Sequence, residues 1–116
     1  MGIIMAKVTP LNTKKIISLV AEAALDSYGV VAIANKKAET LGESQKTKKG
    51  KAEEGIFVKR KSDNTFALDV YLVLAQGIKI TESLRECRKS IRYRLDKVFP
   101  KLCREVNVYA LEISAN

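Results

Sequence analysis

The chain has no histidine and no tryptophan, and its 116 residues include only two cysteines and two prolines. Without histidine it lacks the commonest general acid–base group and the commonest metal ligand. Two cysteines cannot complete a zinc site without other ligands, and they do not indicate a disulfide framework. We therefore expect Cys87 and Cys103 to be reduced thiols, and we expect neither a metal nor a cofactor.

The sequence also lacks the apolar run of about eighteen residues that indicates a membrane-spanning helix. Residues 1–10 begin with a short apolar stretch, but no charged region precedes it and it is too short for a signal peptide. A chain of this length falls within the usual size of one domain. The expectation is therefore a single cytoplasmic domain covering residues 1–116, without a transmembrane segment.

Positive charge exceeds negative charge by a wide margin. The formal net charge is +8 and the sequence pI is about 9.6. This excess favours acidic partners such as nucleic acid, anionic lipid or an acidic protein. A basic surface without any specific ligand is the equally weighted alternative.

In the first half of the chain, residues 3–8 are compatible with a short strand. Asn12 is a good N-cap for a predicted helix over residues 13–26, which carries one apolar stripe. A short β-branched strand follows at residues 29–35. Residues 36–54 are rich in charge and almost devoid of large apolar side chains, so the sequence predicts a mobile basic loop there.

In the second half, strands at residues 56–61 and 65–76 are predicted to form a hairpin with its turn at residues 62–64. A basic amphipathic helix is predicted over residues 81–99 and a closing strand over residues 104–113. This order of elements predicts an α+β two-layer sandwich, in which a mostly antiparallel sheet carries two helices on one face.

The long strand and the closing strand are apolar on both faces, although helices on one side of a sheet cover only one face. Tyrosine is enriched in protein interfaces because it buries a large area and keeps a polar group. We therefore predict a homo-oligomer that associates through the uncovered face; the alternative is that the N-terminal segment or the long loop covers it. The predicted contact residues are Asp69, Tyr71, Val73, Asn107, Tyr109 and Leu111.

Basic residues line one side of the predicted second helix and recur in the loop. Such a row attracts a phosphate backbone without regard to sequence, which makes an RNA-binding module the alternative function. Attachment to anionic lipid is a further option, and a solvated helix face, with Glu82 and Glu86 pairing with neighbouring cations, is the simplest explanation. The residues concerned are Lys46, Lys48, Lys49, Lys51, Arg85, Arg88, Lys89 and Arg92.

No catalytic constellation accompanies these features. Asp69 is the only carboxylate in the long strand, and Asp63 belongs to a turn. The sequence contains no nucleophile elbow, no phosphate-binding glycine loop and no cysteine–histidine pair. We therefore expect that the protein is not an enzyme.

The segments FALDVYLVLAQGIKI (66–80) and REVNVYALEI (104–113) resemble the alkaline shock protein family of bacterial envelope stress response proteins. In that family a hydrophobic-Asp-hydrophobic-Tyr strand precedes a glycine turn, here at Gly77. An amphipathic helix and a strand with a Val-Asn-Val motif come next. Tyr28 and Thr81 stand where members often have proline, and many members are acidic whereas this chain is basic.

The resemblance implies a small cytoplasmic protein without enzymatic activity. It also implies self-assembly and attachment to the membrane through a separate membrane-anchored protein, as some relatives of the family show. Both implications agree with the two-sided apolar sheet, and neither names a ligand.

Overall fold

The computed structural model of the protein describes residues 11–36 and 51–114. The two long helices and four strands predicted from the sequence over these residues are confirmed, while the predicted strand at residues 3–8 lies outside them. In chain order the elements are α1 (Thr13–Leu25), β1 (Val30–Ile33), α2 (Ala52–Gly55), β2 (Ile56–Arg60), β3 (Phe66–Ala75), α3 (Ile80–Val98) and β4 (Cys103–Ser114).

Helix α1 begins at the predicted cap. Asn12 Oδ1 accepts a hydrogen bond of 3.2 Å from the backbone N–H of Lys15. This contact satisfies one of the N–H groups that have no partner inside the helix. The side chains that point to the core recur at helical spacing and are fully buried: Ile16, Val20, Ala23 and Ala24.

Strand β3 is the centre of a four-stranded sheet. Strand β4 runs parallel to it along its whole length, whereas β1 and β2 are antiparallel to it. Because β4 occupies one edge of β3 completely, β1 and β2 share the other edge and follow each other end to end. The fold class is therefore confirmed as α+β, with a mixed sheet whose longest strand pair is the parallel one.

Gly55 lies where β1 and β2 meet. A Cβ atom at this position would lie 2.2 Å from the carbonyl oxygen of Ala34 and 2.6 Å from Cγ2 of Ile33. The backbone N–H of Ala34 in turn donates to the carbonyl oxygen of Tyr71 at 2.9 Å. Only glycine allows the two short strands to approach this closely along one edge.

Helices α1 and α3 both pack on the same face of the sheet. Alternate residues of β3 point into this core, and all five are 0% exposed: Phe66, Leu68, Val70, Leu72 and Leu74. Helix α3 contributes Cys87, Ile91 and Leu95, as its apolar stripe predicts. Burying a large apolar side chain completely contributes about 1.5–3 kcal/mol, so this face dominates the stability of the domain.

The connections agree in part with the predictions. The hairpin turn lies where expected: Asn64 has a left-handed φ of 67°, and Asp63 Oδ1 accepts hydrogen bonds from the backbone N–H and hydroxyl of Thr65. The end of the predicted loop is a short helix, in which the N–H of Lys51 donates to Glu54 Oε1 at 2.6 Å. Residues 37–50 of that loop lie outside the described residues.

Strand β4 contains two register shifts. The second falls after the pair Leu72–Ala110, so that Val73 lies opposite Glu112 and Leu74 opposite Ile113. Strict alternation along the sequence predicts Ile113 on the same face as Tyr109. This prediction is wrong, because one extra residue in a strand reverses the faces beyond it and places Ile113 beside Leu74. Leu111 lies at the shift and is half-buried.

Candidate interaction site on the open sheet face

The sheet face opposite α1 and α3, here called the open face, carries the residues predicted to mediate self-association. The parallel register sets Asp69 beside Asn107 and Tyr71 beside Tyr109. These β3 residues alternate with those that enter the helix-covered core, which explains why they share one face. The structure therefore brings together side chains that lie almost forty positions apart in the chain.

Three aromatic side chains form a row across three strands of the open face. The Tyr71 and Tyr109 rings stack with centroids 5.0 Å apart and an angle of 20° between their planes. Phe57 meets Tyr71 edge-on at 5.9 Å. Lys36 Nζ lies 5.2 Å from the centre of the Tyr71 ring, within the range of a cation–π contact. Tyr109 is 43% exposed and Tyr71 is half-buried.

A polar cluster lies beside this aromatic row. Asp69 Oδ2 is 2.7 Å from Lys59 Nζ, and Asp69 Oδ1 accepts a hydrogen bond of 3.1 Å from Asn107 Nδ2. Asn107 also donates to Glu105 Oε2 at 3.3 Å. The four side chains connect β2, β3 and β4 across two neighbouring levels of the open face.

These contacts perturb both charged groups of the central ion pair. Burial on its own raises the pKa of Asp69, but hydrogen bonds from Lys59 and Asn107 outweigh it and leave the pKa below its usual value. The hydrogen bond to Asp69 raises the pKa of Lys59 above its usual range. The pair is therefore ionised at neutral pH and holds a charge-assisted hydrogen bond.

The predicted contact residues differ in how much surface they offer. Asp69 is 8% exposed and Val73 only 2%, so both offer very little surface to a partner. Phe57 and Lys59 also belong to the open face, although the sequence reasoning missed them. The sequence contained the information needed to find them. The second strand of the predicted hairpin is β3, and the alternation of β2 beside it places both residues on the open face.

The predicted basic residues separate into two groups. Arg85, Arg88, Lys89 and Arg92 line a groove between α3 and the outer edge of β4, here called the edge groove, with Arg104 as a further cation. Lys51 precedes α2 and is exposed. Lys46, Lys48 and Lys49 lie outside the described residues.

The two cysteines belong to the core and not to the candidate site. Cys87 is 0% and Cys103 5% exposed, and neither forms a disulfide, as predicted. Burial raises the pKa of both thiols. A raised pKa lowers the fraction of reactive thiolate, so these side chains serve packing.

Fold and site together define a class of protein: a small α+β domain in which helices cover one sheet face and an ordered aromatic row lies on the other. Comparison of the sequence with known families specifies the class further. The alkaline shock protein 23 family, described as having a cell envelope-related function, matches this chain over residues 7–115. The chain belongs to this family, which is the one that its strand motifs resemble.

Two curated proteins are similar to this chain. "Uncharacterized protein YloU" of Bacillus subtilis (strain 168) is 26% identical over 98 residues, which cover 84% of this chain and 81% of that protein. "Uncharacterized protein Spy1614" of Streptococcus pyogenes serotype M6 is 28% identical over 103 residues, 89% of this chain and 84% of that protein. No solved structure matches significantly.

The envelope-related description of the family raises the question of membrane insertion. Within residues 11–36 and 51–114, no helix has both the length and the apolar character needed to cross a membrane.

Proposed function

We propose that this protein is a non-enzymatic scaffold of the cell envelope that self-associates through its open face. The observation that carries the proposal is the aromatic row of Phe57, Tyr71 and Tyr109, which lies on the face that neither long helix covers. Aromatic side chains held rigid in the free protein lose little conformational entropy when a partner covers them. They are also the residue types that dominate the energy of many protein interfaces.

The polar cluster supports the same proposal. Because Asp69 bonds to both Lys59 and Asn107, its charge is compensated before any partner arrives. A compensated carboxylate costs less to bury in an interface than an unpaired one. The open face thus combines an apolar centre with a satisfied polar border, the usual composition of an interface.

The test is the mass of the protein in solution, measured by light scattering. We expect the wild-type chain to form a dimer or larger species and the double variant Tyr71→Glu/Tyr109→Glu to be a monomer. Two negative charges on the aromatic row would have to lose their hydration on association, which is strongly unfavourable.

A matched control uses the two tyrosines that lie elsewhere. Tyr28 is 80% exposed in the connection after α1, and Tyr93 is 63% exposed on α3. Tyr28→Glu/Tyr93→Glu introduces the same charges and should leave the oligomer intact. The proposal fails if the wild-type chain is a monomer, or if the open-face variant remains folded by circular dichroism and keeps the wild-type mass.

The proposal extends to where the protein is found. We place the assembled protein in the cytoplasm, held at the membrane by a separate membrane-anchored protein, in line with the cell envelope-related description of the family. Fractionation of cells provides the test. The chain should sediment with membranes and be released by salt or mild detergent, because its attachment would be through protein contacts.

RNA binding stays a prediction. The helix residues predicted to bind RNA line the edge groove, but three of the four loop lysines predicted to bind it lie outside the described residues. Attachment to anionic lipid through the loop stays a prediction for the same reason. Both would appear as binding to a polyanion that weakens steeply as salt is raised, whereas the proposed self-association depends on the open face.

A further inference from the structure

The edge groove follows the backbone of β4. One part, of about 260 Å³, lies between residues 81–88 of α3 and residues 106–109 of β4. A second part, of about 400 Å³, continues along the strand past Glu105 to Arg104. The two parts share Arg88, Val106 and Asn107 and are therefore adjacent along the strand. At about 3.3 Å per residue, the stretch of β4 from residue 105 to residue 109 spans about 13 Å.

Strand β4 presents an edge to this groove. Among the described strands only β3 pairs with β4, so within this part of the chain the opposite edge of residues 105–109 has no strand partner. At the start of β4 the guanidinium of Arg92 donates to the carbonyl oxygens of Cys103 and Arg104 at 3.2 and 3.4 Å. This contact closes one end of the edge and leaves residues 105–109 facing the groove.

The side chains around the groove make it strongly positive. Lys89 lies 3.9 Å from Glu86, and Arg104 lies 3.5 Å from Asp63. In the part of the chain that the structure describes, no carboxylate forms an ion pair with Arg85 or Arg88. These two guanidinium groups are exposed on consecutive turns of α3, directly above the open edge.

Apolar side chains line part of the groove: Leu84 from α3 and Val106 and Val108 from β4, all of which pack against the core. A ligand that fits must therefore satisfy the backbone hydrogen-bonding groups of the edge and offer negative charge on the α3 side of the sheet, where Arg85 and Arg88 lie. An extended peptide in which every second residue is acidic has both properties, because alternate side chains of a strand beside β4 point to that side.

We propose that the edge groove binds an extended acidic segment of a partner protein, which adds to the sheet as a strand beside β4. The charge of the groove argues against a second copy of this chain as the occupant. Pairing two β4 edges would bring Arg85 and Arg88 of both copies together, and like charges placed opposite each other are unfavourable. RNA would use the cations but not the strand edge, and Tyr109 is the one aromatic residue among those lining the groove.

The first experiment uses the full-length chain and a synthetic ten-residue peptide of alternating glutamate and valine. On binding, amide signals of residues 105–110 should shift in NMR spectra and their hydrogen exchange should slow, because strand addition protects edge amides. The matched control is the same peptide with alternate backbone amides N-methylated. It keeps every charge but cannot pair as a strand, and it should bind at least about tenfold more weakly.

The second experiment changes the protein. Arg85→Glu/Arg88→Glu should weaken peptide binding at least about tenfold, because two attractive charges become repulsive. The control Lys14→Glu/Lys15→Glu makes the same change in net charge at exposed positions of α1 and should alter the affinity less than about twofold. Both variants should keep the solution mass of the wild type, because none of the four substituted residues lies on the open face.

Three results would overturn the proposal. The first is equal binding of the N-methylated peptide, and the second is a set of NMR shifts confined to α3. The third is binding of oligouridylate by the wild-type chain, lost in Arg85→Glu/Arg88→Glu, with no binding of the peptide; this would assign the groove to nucleic acid. A wild-type circular dichroism spectrum for each variant makes these results interpretable.

Discussion

The two faces of β3 are ordered in different ways. On one face the helices cover Phe66, Leu68, Val70, Leu72 and Leu74 completely. On the other, Asp69 and Tyr71 are held by lateral neighbours within the sheet: an ion pair, an amide hydrogen bond and a ring stack. The first face is stabilised by removal of apolar area from water, and the second by specific pairwise contacts.

Within β3, the residues on the helix-covered face therefore mainly determine stability, whereas those on the open face mainly determine the surface offered to a partner. Substitutions on the helix-covered face should change the free energy of unfolding strongly, since a packed core relaxes only partially around a cavity. Substitutions on the open face should cost less stability, because each removes one lateral contact, yet they alter the surface that a partner would meet. Comparing neighbouring positions of β3 tests this separation directly.

The largest effect is expected for Leu72→Ala. Leu72 is 0% exposed beneath the helices, so the variant should lose about 2–5 kcal/mol in the free energy of unfolding. Urea denaturation followed by circular dichroism provides the measurement. A loss below about 1 kcal/mol would show that this face is not the packed core of the domain.

A smaller, pH-dependent effect is expected for Asp69→Asn. At neutral pH we expect a loss of about 1 kcal/mol, because the charge-assisted bond to the largely exposed Lys59 is weakened. The pKa of Asp69 is lowered in the folded protein, so its contribution is complete above the unfolded value of 3.8 and disappears as the pH falls through the folded value. Unfolding experiments from about pH 7 down to about pH 2 should show the two proteins converging only at the acidic end.

The control for this prediction is Asp96→Asn, which removes one negative charge from an exposed position of α3. Its stability should follow that of the wild type at neutral pH. If the loss in the free energy of unfolding of Asp69→Asn stays constant down to the lowest pH, its origin is not electrostatic, and a packing defect is indicated instead.

The smallest effect on the isolated domain is expected for Tyr109→Ala. Loss of the stack on Tyr71 should cost about 0.5–1.5 kcal/mol when unfolding is measured at a concentration low enough for monomers. At higher protein concentration the difference in the free energy of unfolding between this variant and the wild type should grow, because association stabilises only the folded wild-type protein. Tyr93→Ala, at an exposed helix position, should show no such dependence on concentration. If the stability loss of both variants depends on concentration in the same way, Tyr109 does not take part in the interface.

Much of this arrangement could be predicted from the sequence, because it depends on local periodicity. The Asn12 cap, the apolar stripe of the second helix through Ile91 and Leu95, and the alternation around Tyr71 each locate an element or its inner face. The Val-Asn-Val motif at 106–108 sets Asn107 and Tyr109 on the same side as Asp69 and Tyr71 once the two strands are neighbours. The fold class and the open face follow from these patterns.

The remainder depends on register and tertiary contact, which periodicity does not encode. The extra residue between Ala110 and Glu112 changes the face of Ile113, and no composition signal marks it. The approach of Lys36 to the Tyr71 ring joins positions far apart in the chain. The arrangement of β1 and β2 on one edge of β3 requires a residue without a side chain at Gly55, and no pattern in the sequence indicates this requirement.

That shared edge has a consequence for the construction of variants. Ala34, just after β1, bonds to Tyr71, and Ile56, the first residue of β2, pairs with Val70. The end of β1 and the start of β2 therefore lie beside adjacent residues of β3. The closure entropy of the intervening connection grows only slowly with its length, by about 0.6 kcal/mol for each doubling. The connection between the two short strands should therefore accept an inserted fluorescent reporter or affinity tag at little cost in closure entropy.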